Sequence, residues 1–212
     1  MSAIFKNKKK LTEDYSKIST YDREIRALKR ENKDLKRTLS YFEEFNQSNR
    51  KIIYSQSVDG NYLLASVAYS LDHFKRIKKL NFKVNDTFNH RRKDRLNFLN
   101  VEVYYNDEDA NKLRTLNHLV IRDFLISPPN RGYGSFLLRE ALFHISQLFG
   151  ENVKIIGKLS SVDEQDPENH ARRDHVYQKF GFTIKKSQIY LDGIPLDKLA
   201  EERQKWNGGS SS

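Results

Sequence analysis

The chain has no cysteine, which excludes a disulfide framework and a thiolate zinc site and makes a reducing cytoplasm the expected location. Its six histidines are scattered, and none has metal-ligand partners at a useful spacing. No apolar run approaches the ~20 residues that a membrane-spanning helix needs. Met1-Ser2-Ala3-Ile4-Phe5 runs straight into lysines, with no secretory h-region or cleavage site. A soluble, unexported protein with no membrane partner is the expectation. Acidic residues are also in deficit, since 28 Asp and Glu stand against 38 Lys and Arg, a net charge of +10. Two readings of that excess stay open: a basic surface that aids solubility, or attraction to a polyanion such as nucleic acid, an acidic protein or a phosphorylated ligand.

What is present suffices for one α/β domain with an extension. The 212 residues exceed a typical domain of about 100–150 residues, and 13 Phe and 11 Tyr can fill a core. With 37% hydrophobic and 31% charged residues, the surface is generous enough to include a long solvated helix.

The heptad comes first. Ile18, Tyr21, Ile25, Leu28, Asn32, Leu35, Leu39 and Phe42 are spaced alternately by three and four. Ile18, Ile25, Asn32 and Leu39 at position a, with Tyr21, Leu28, Leu35 and Phe42 at d, give the mixture that favours a parallel dimer. The pairs Lys17 with Asp22, Glu24 with Lys29 and Glu31 with Lys36 would attract across such an interface. A helix lying on its own domain with an ordinary charged face is the alternative. Residues 1–14, with the cluster Lys6-Asn7-Lys8-Lys9-Lys10, read as a basic disordered tail and residues 15–48 as the coiled-coil helix.

After Asn46-Gln47-Ser48-Asn49 the pattern changes to short strands and amphipathic helices. The globular domain is expected over 50–195, followed by a C-terminal helix and flexible tail over 196–212, with Asn207 to Ser212 as the flexible end. Strands are expected near 51–56, 82–84, 96–105, 116–126, 153–159, 182–184 and 188–191. Helices are expected near 62–80, 133–149 and 168–180. The order β-α-β-β-β-α-β-α-β-β predicts an α/β fold with a mixed sheet and crossover helices.

One junction carries chemistry. Strand His118 to Ile126 runs through Ser127-Pro128-Pro129-Asn130-Arg131-Gly132-Tyr133-Gly134-Ser135 directly into a helix. Glycines there permit close backbone approach, and the unpaired amides of a helix start form an anion site to which Arg131 can add a charge. The same stretch can also serve only to start a helix. It is not a P-loop, because no Gly-Lys-Ser/Thr follows, and it lacks the third glycine of a dinucleotide fingerprint.

Read together, Ile121 to Pro128 and Arg131 to Leu138 resemble motif A of the GNAT superfamily of N-acetyltransferases, and Ala171 to Phe182 resembles its motif B. The resemblance implies a GNAT-like mixed β-sheet with crossover helices, here preceded by a long N-terminal coiled-coil helix. It implies acetyl-CoA as co-substrate, bound by the backbone of Phe124, Leu125 and Ile126 and, at its pyrophosphate, by Arg131, Gly132, Tyr133, Gly134 and Ser135. Asn169 and His170 fall near the position of a family asparagine on the second motif's helix, which implies contact with the cofactor arm for either, although N-capping explains Asn169 equally. The turn is two residues shorter than the family's, and Pro129, which has no N–H, stands where Gln or Arg usually opens it.

The resemblance further implies Tyr177 as general acid toward the coenzyme A sulfur, with the Ile126 amide at the oxyanion. Tyr177 as a core residue is the plain alternative. Arg122 takes the place of a family acid, which leaves Asp123 and Glu102 as candidate bases, ion-pairing surface carboxylates or bystanders to a water relay. Strand alternation puts Asp123 on the face of Ile121 and Leu125. The acidic stretch Asp163 to Glu168 reads as a solvated loop or as a receiver of a cationic acceptor. The leading expectation is a cytoplasmic, homodimeric enzyme acetylating a primary amine of a small polyamine-like molecule, a protein or an RNA-linked acceptor. The rival is a GNAT-fold scaffold that binds a partner without turnover.

Overall fold

The computed structural model describes residues 18–33, 35–36, 39–40, 43, 49–58, 61–86, 97–106, 115–159 and 167–208. The chain divides into two units, residues 1–48 and 49–212. In the first, residues 18–33 form helix α1, on which Ile18, Tyr21, Ile25 and Leu28 are all exposed, as are Leu35 and Leu39 further along. The basic tail of residues 1–14 and the coil positions 15–17, 34, 37–38, 41–42 and 44–48 lie outside the described residues.

The second unit is an α/β fold around one mixed sheet of eight strands. They are β1 (Lys51–Val58), β2 (Asn61–Leu71), β3 (Ile77–Asp86), β4 (Phe98–Tyr105), β5 (Leu116–Leu125), β6 (Lys154–Lys158), β7 (Thr183–Lys185) and β8 (Gln188–Asp192). Their spatial order is β1-β2-β3-β4-β5-β6-β8-β7. Antiparallel pairing runs from β1 to β5, β5 and β6 are parallel, and β6, β8 and β7 are antiparallel. Helix α2 (Tyr133–Phe149) is the crossover that the parallel pair requires. Helices α3 (Pro167–Lys179) and α4 (Leu196–Gly208) follow β6 and β8.

Alternation fixes the faces. Leu80, Phe82 and Val84 of β3 and Leu99, Val101 and Val103 of β4 are buried, while Lys79, Asn81 and Lys83 and then Asn100 and Glu102 point the other way. Helix α2 packs against the sheet, and its Phe136, Leu137, Ala141, Leu142 and Ile145 are all buried in the shared core. Full burial of Phe136 and Leu142 contributes roughly 1.5–3 kcal/mol each. No described helix is long and apolar enough to cross a membrane.

The helix expected over 62–80 is instead the hairpin of β2 and β3. The run Asn61–Leu71 carries apolar residues on both strand faces, unlike β3 and β4, and such a run does not distinguish strand from helix by periodicity. What ends it is Asp72, whose Oδ1 accepts from the amides of Phe74 (2.8 Å) and Arg76 (2.9 Å), with Lys75 left-handed at φ 62°. This aspartate turn reverses the chain without glycine or proline. At the other end, Asn207 and Gly208 continue α4 rather than opening a tail. The hairpin tip after Asn106, the turn at Asp59-Gly60 and the acidic residues 163–166 lie outside the described residues.

Candidate active site

The site is built where β5 loses one neighbour. On the β4 side β5 is paired from Leu116 to Leu125, but on the β6 side only Leu119, Val120 and Ile121 are paired. The register slips at the same point: Asn100 faces Asp123 and Val101 faces Ile121, so Arg122 is an extra residue, a β-bulge. A bulge bends its strand. Here the bend coincides with the loss of pairing, so the backbone beyond Ile121 has no β6 partner.

The bulge also overturns the expected facing of Asp123. Both Arg122 and Asp123 lie on the polar side of the sheet, where Asp123 accepts from Asn100 Nδ2 (3.1 Å). Ile121 is buried opposite, and Phe124 and Ile126 then return to the apolar side.

Beyond the splay, the Ser127 amide donates to Asn97 Oδ1 (2.6 Å), tying the turn to the start of β4. Asn130 (φ 60°) and Gly132 (φ 72°) are left-handed, the latter as the N-cap of α2 without a side-chain cap. The first helical hydrogen bond runs from the Phe136 amide to the Gly132 carbonyl (2.9 Å). The amides of Gly134 and Ser135 precede it and have no carbonyl within the helix to reach.

These parts enclose a cavity of about 540 Å³. Phe124, Leu125 and Ile126 form one wall, Arg131, Gly132, Tyr133, Gly134 and Ser135 a second, and Asn169 lies on a third with Arg172, Arg173, His175 and Val176 of α3. Among the described residues no carboxylate lines it, and Arg131, Arg172 and Arg173 give its lining positive charge. Arg172 is shared with Glu168 (3.3 Å) and Asn169 Oδ1 (2.8 Å), and Arg173 with Asp174 (3.1 Å). The arginines were not singled out from sequence, although helical spacing from Asn169 leads to 172, 173 and 176 on one face.

The two glycines have different surroundings. A Cβ on Gly132 would lie 2.5 Å from Trp206 of α4, whereas one on Gly134 would make ordinary contacts with Ile126, Phe124 and Val176, the nearest at 3.6 Å. Close approach at Gly132 is therefore to this chain's own indole. The Tyr133 phenol is buried and donates to Asp86 at the end of β3.

Other expected residues lie elsewhere. His170 is off the cavity lining, with Nε2 3.5 Å from Asp174. Tyr177 is also off the lining and only 3% exposed, its ring edge-on to Phe124 (5.8 Å between centroids) and Phe182 (5.2 Å). It meets the cavity through Phe124. Glu102 and Asp123 line a second cavity, of about 300 Å³, on the polar face of the sheet. There Glu102 is paired with Lys79 (2.8 Å) and Arg122 (2.7 Å). Those hydrogen bonds hold its carboxyl well below the usual range, at about 2. A carboxylate so held is a counter-ion and a poor proton acceptor near neutral pH.

Among the described residues no His, Asp and Glu are grouped to hold a metal ion. No family model and no curated protein matches the chain.

Proposed function

We propose that residues 49–212 form a GNAT-type N-acetyltransferase domain that moves an acetyl group from acetyl-CoA to a primary amine. One observation carries this reading: a single cavity collects the splayed strand, the glycine turn and the arginine-bearing face of α3. The strand and the turn adjoin in sequence while α3 comes to them from beyond β6, and each supplies what the cofactor presents. The bare backbone of Phe124 to Ile126 suits an amide-bearing arm, and the helix start with Arg131 suits a pyrophosphate. Acetyl transfer then needs a neutral amine to attack the thioester carbon, an oxyanion donor such as the Ile126 amide, and a proton for the departing thiolate. Tyr177 places a phenol one ring behind Phe124 of that wall. Of the two carboxylates, Asp123 fits a proton acceptor better, because Glu102 is held by two cations.

A second reading, a GNAT-fold scaffold that holds a protein or nucleic-acid partner without turnover, is favoured by Gly132. Its missing side chain is explained by Trp206 alone, without any ligand. Free-thiol release from acetyl-CoA over a panel of polyamines, amine-bearing peptides and aminoacylated RNA decides between them. The transferase reading expects at least one acceptor to release thiol above the hydrolytic background, with Tyr177→Phe lowering that rate by about 100-fold at little change in cofactor affinity. A uniform background rate supports the scaffold.

The exposed stripe of α1 supports parallel homodimerisation through residues 15–48. Asn32 follows Leu28 by four residues and Ile25 by seven on α1, the spacing of an a-position amide. Leu28→Lys combined with Leu35→Lys should convert a dimer to a monomer in sedimentation, and a wild-type monomer refutes the pairing.

A further inference from the structure

We propose that Asn81 and Asn100, anchored on Arg50, are positioning residues that fix the Asp123 carboxylate in the polar-face cavity to receive the acceptor's ammonium group, a role that rests on the transferase reading above.

The three residues stand in register across three strands: Asn81 of β3 is opposite Asn100 of β4, which is opposite Asp123 of β5. Their hydrogen bonds have one direction. Arg50 can only donate, and its Nη1 donates to Asn81 Oδ1 (2.7 Å). That fixes the Asn81 amide, so Nδ2 donates onward to Asn100 Oδ1 (2.5 Å). Asn100 Nδ2 must then donate to Asp123 Oδ2 (3.1 Å). A flip of either amide would set donor against donor at one end and acceptor against acceptor at the other. Arg50 is itself clamped, by Ser66 Oγ (3.0 Å), the Ser66 carbonyl (3.2 Å) and the Asn81 carbonyl (2.7 Å). A cation at one end and a carboxylate at the other make the whole row charge-assisted.

The bulge at Arg122 is what brings Asp123 into this row. Facing Asp123 in the cavity are Tyr69 from β2, Lys79 from β3, Glu102 from β4 and Arg122 from β5. Glu102 engages both of those cations. Among the described residues Asp123 is held by an amide and has no ion pair, so a small cation with N–H donors complements it. Asp123 also adjoins Phe124, where the wall of the larger cavity begins. Acceptor and cofactor would thus reach β5 from two cavities that meet at one peptide unit.

An amide row can also serve only to join strands, and the test separates the two roles. n-Butylammonium is titrated into the 15N-labelled full chain, with n-butanol and butyrate as controls, and backbone amide shifts are followed. Saturable shifts at Asp123 and Asn100 are expected with the ammonium alone. They should vanish in Asp123→Asn and weaken by about tenfold in Asn100→Leu, or in the shorter Asn100→Ser should the leucine variant not fold. In turnover, the same Asn100 variants should raise the amine KM about tenfold while leaving the acetyl-CoA KM unchanged. Absence of ammonium shifts, shifts that survive Asp123→Asn, wild-type binding by the Asn100 variants, or equal changes in both KM values would each overturn the proposal. Ammonium binding without acetyl-CoA binding would leave the positioned carboxylate standing and remove the transferase reading.

Discussion

Along its β4 edge, β5 is held by a backbone ladder from Leu116 to Leu125, whereas along its β6 edge the ladder stops after Ile121. The first edge belongs to a continuous antiparallel block, β1 to β5, in which many equivalent hydrogen bonds share the load. Beyond the second, the gap is bounded by α2 and α3, and α4 packs against α2. A few side chains join those helices. Glu140 of α2 pairs with Arg139 (2.7 Å) and with Arg203 of α4, Lys179 of α3 pairs with Glu202 of α4 (2.6 Å), and Trp206 lies on Gly132. The ladder side should therefore absorb single changes that the open side does not.

The largest effect is expected at Glu140. Arg139 is 1% exposed and stacked near Phe136 (5.4 Å) and Trp206 (5.8 Å), so Glu140→Ala leaves a buried cation without its carboxylate. A loss of about 3–5 kcal/mol in denaturant unfolding is predicted. A loss within ordinary surface scatter would mean that the helices are held otherwise. Next is Gly132→Ala, which combines a left-handed residue with displacement of the indole and should cost about 2 kcal/mol. Gly134→Ala, with its nearest contact at 3.6 Å, should be neutral or slightly stabilising. Equal losses at both glycines would erase the distinction drawn between them.

The smallest effect belongs to the ladder side. His144 of α2 meets the Tyr69 hydroxyl of β2 (2.5 Å), and burial pushes its pKa down. A base whose folded pKa is depressed stabilises the fold above its unfolded pKa and loses that contribution as pH falls below about 6.5. Thermal stability should decline from pH 7 to pH 5, and His144→Gln should flatten the decline. An unchanged slope in that variant would assign the acid sensitivity to other groups.

Much of this architecture was legible in the sequence, and the exceptions have physical causes. The helix Tyr133–Phe149 was marked by its stripe of leucines and by Gly150, and the glycine turn by its position between an apolar strand and that helix. The β2–β3 hairpin was not, because β2 carries apolar residues on both faces and its turn relies on the side chain of Asp72. Nor was the bulge, since no residue type announces an unpaired Arg122, and a one-residue slip reverses every facing after it. Tyr177 was visible as a motif residue, yet its burial behind Phe124 depends on packing between elements that sequence spacing does not relate.

The central claim is that the cavity behind β5 holds acetyl-CoA. Calorimetric titration with acetyl-CoA tests it most directly, on the wild type and on Gly134→Val, whose side chain would project among Phe124, Ile126 and Val176. The account predicts saturable binding to the wild type, weakened by about tenfold or more in Gly134→Val and retained in Asp123→Asn. No heat of binding at high micromolar cofactor, or equal affinity in the wild type and Gly134→Val, would contradict it.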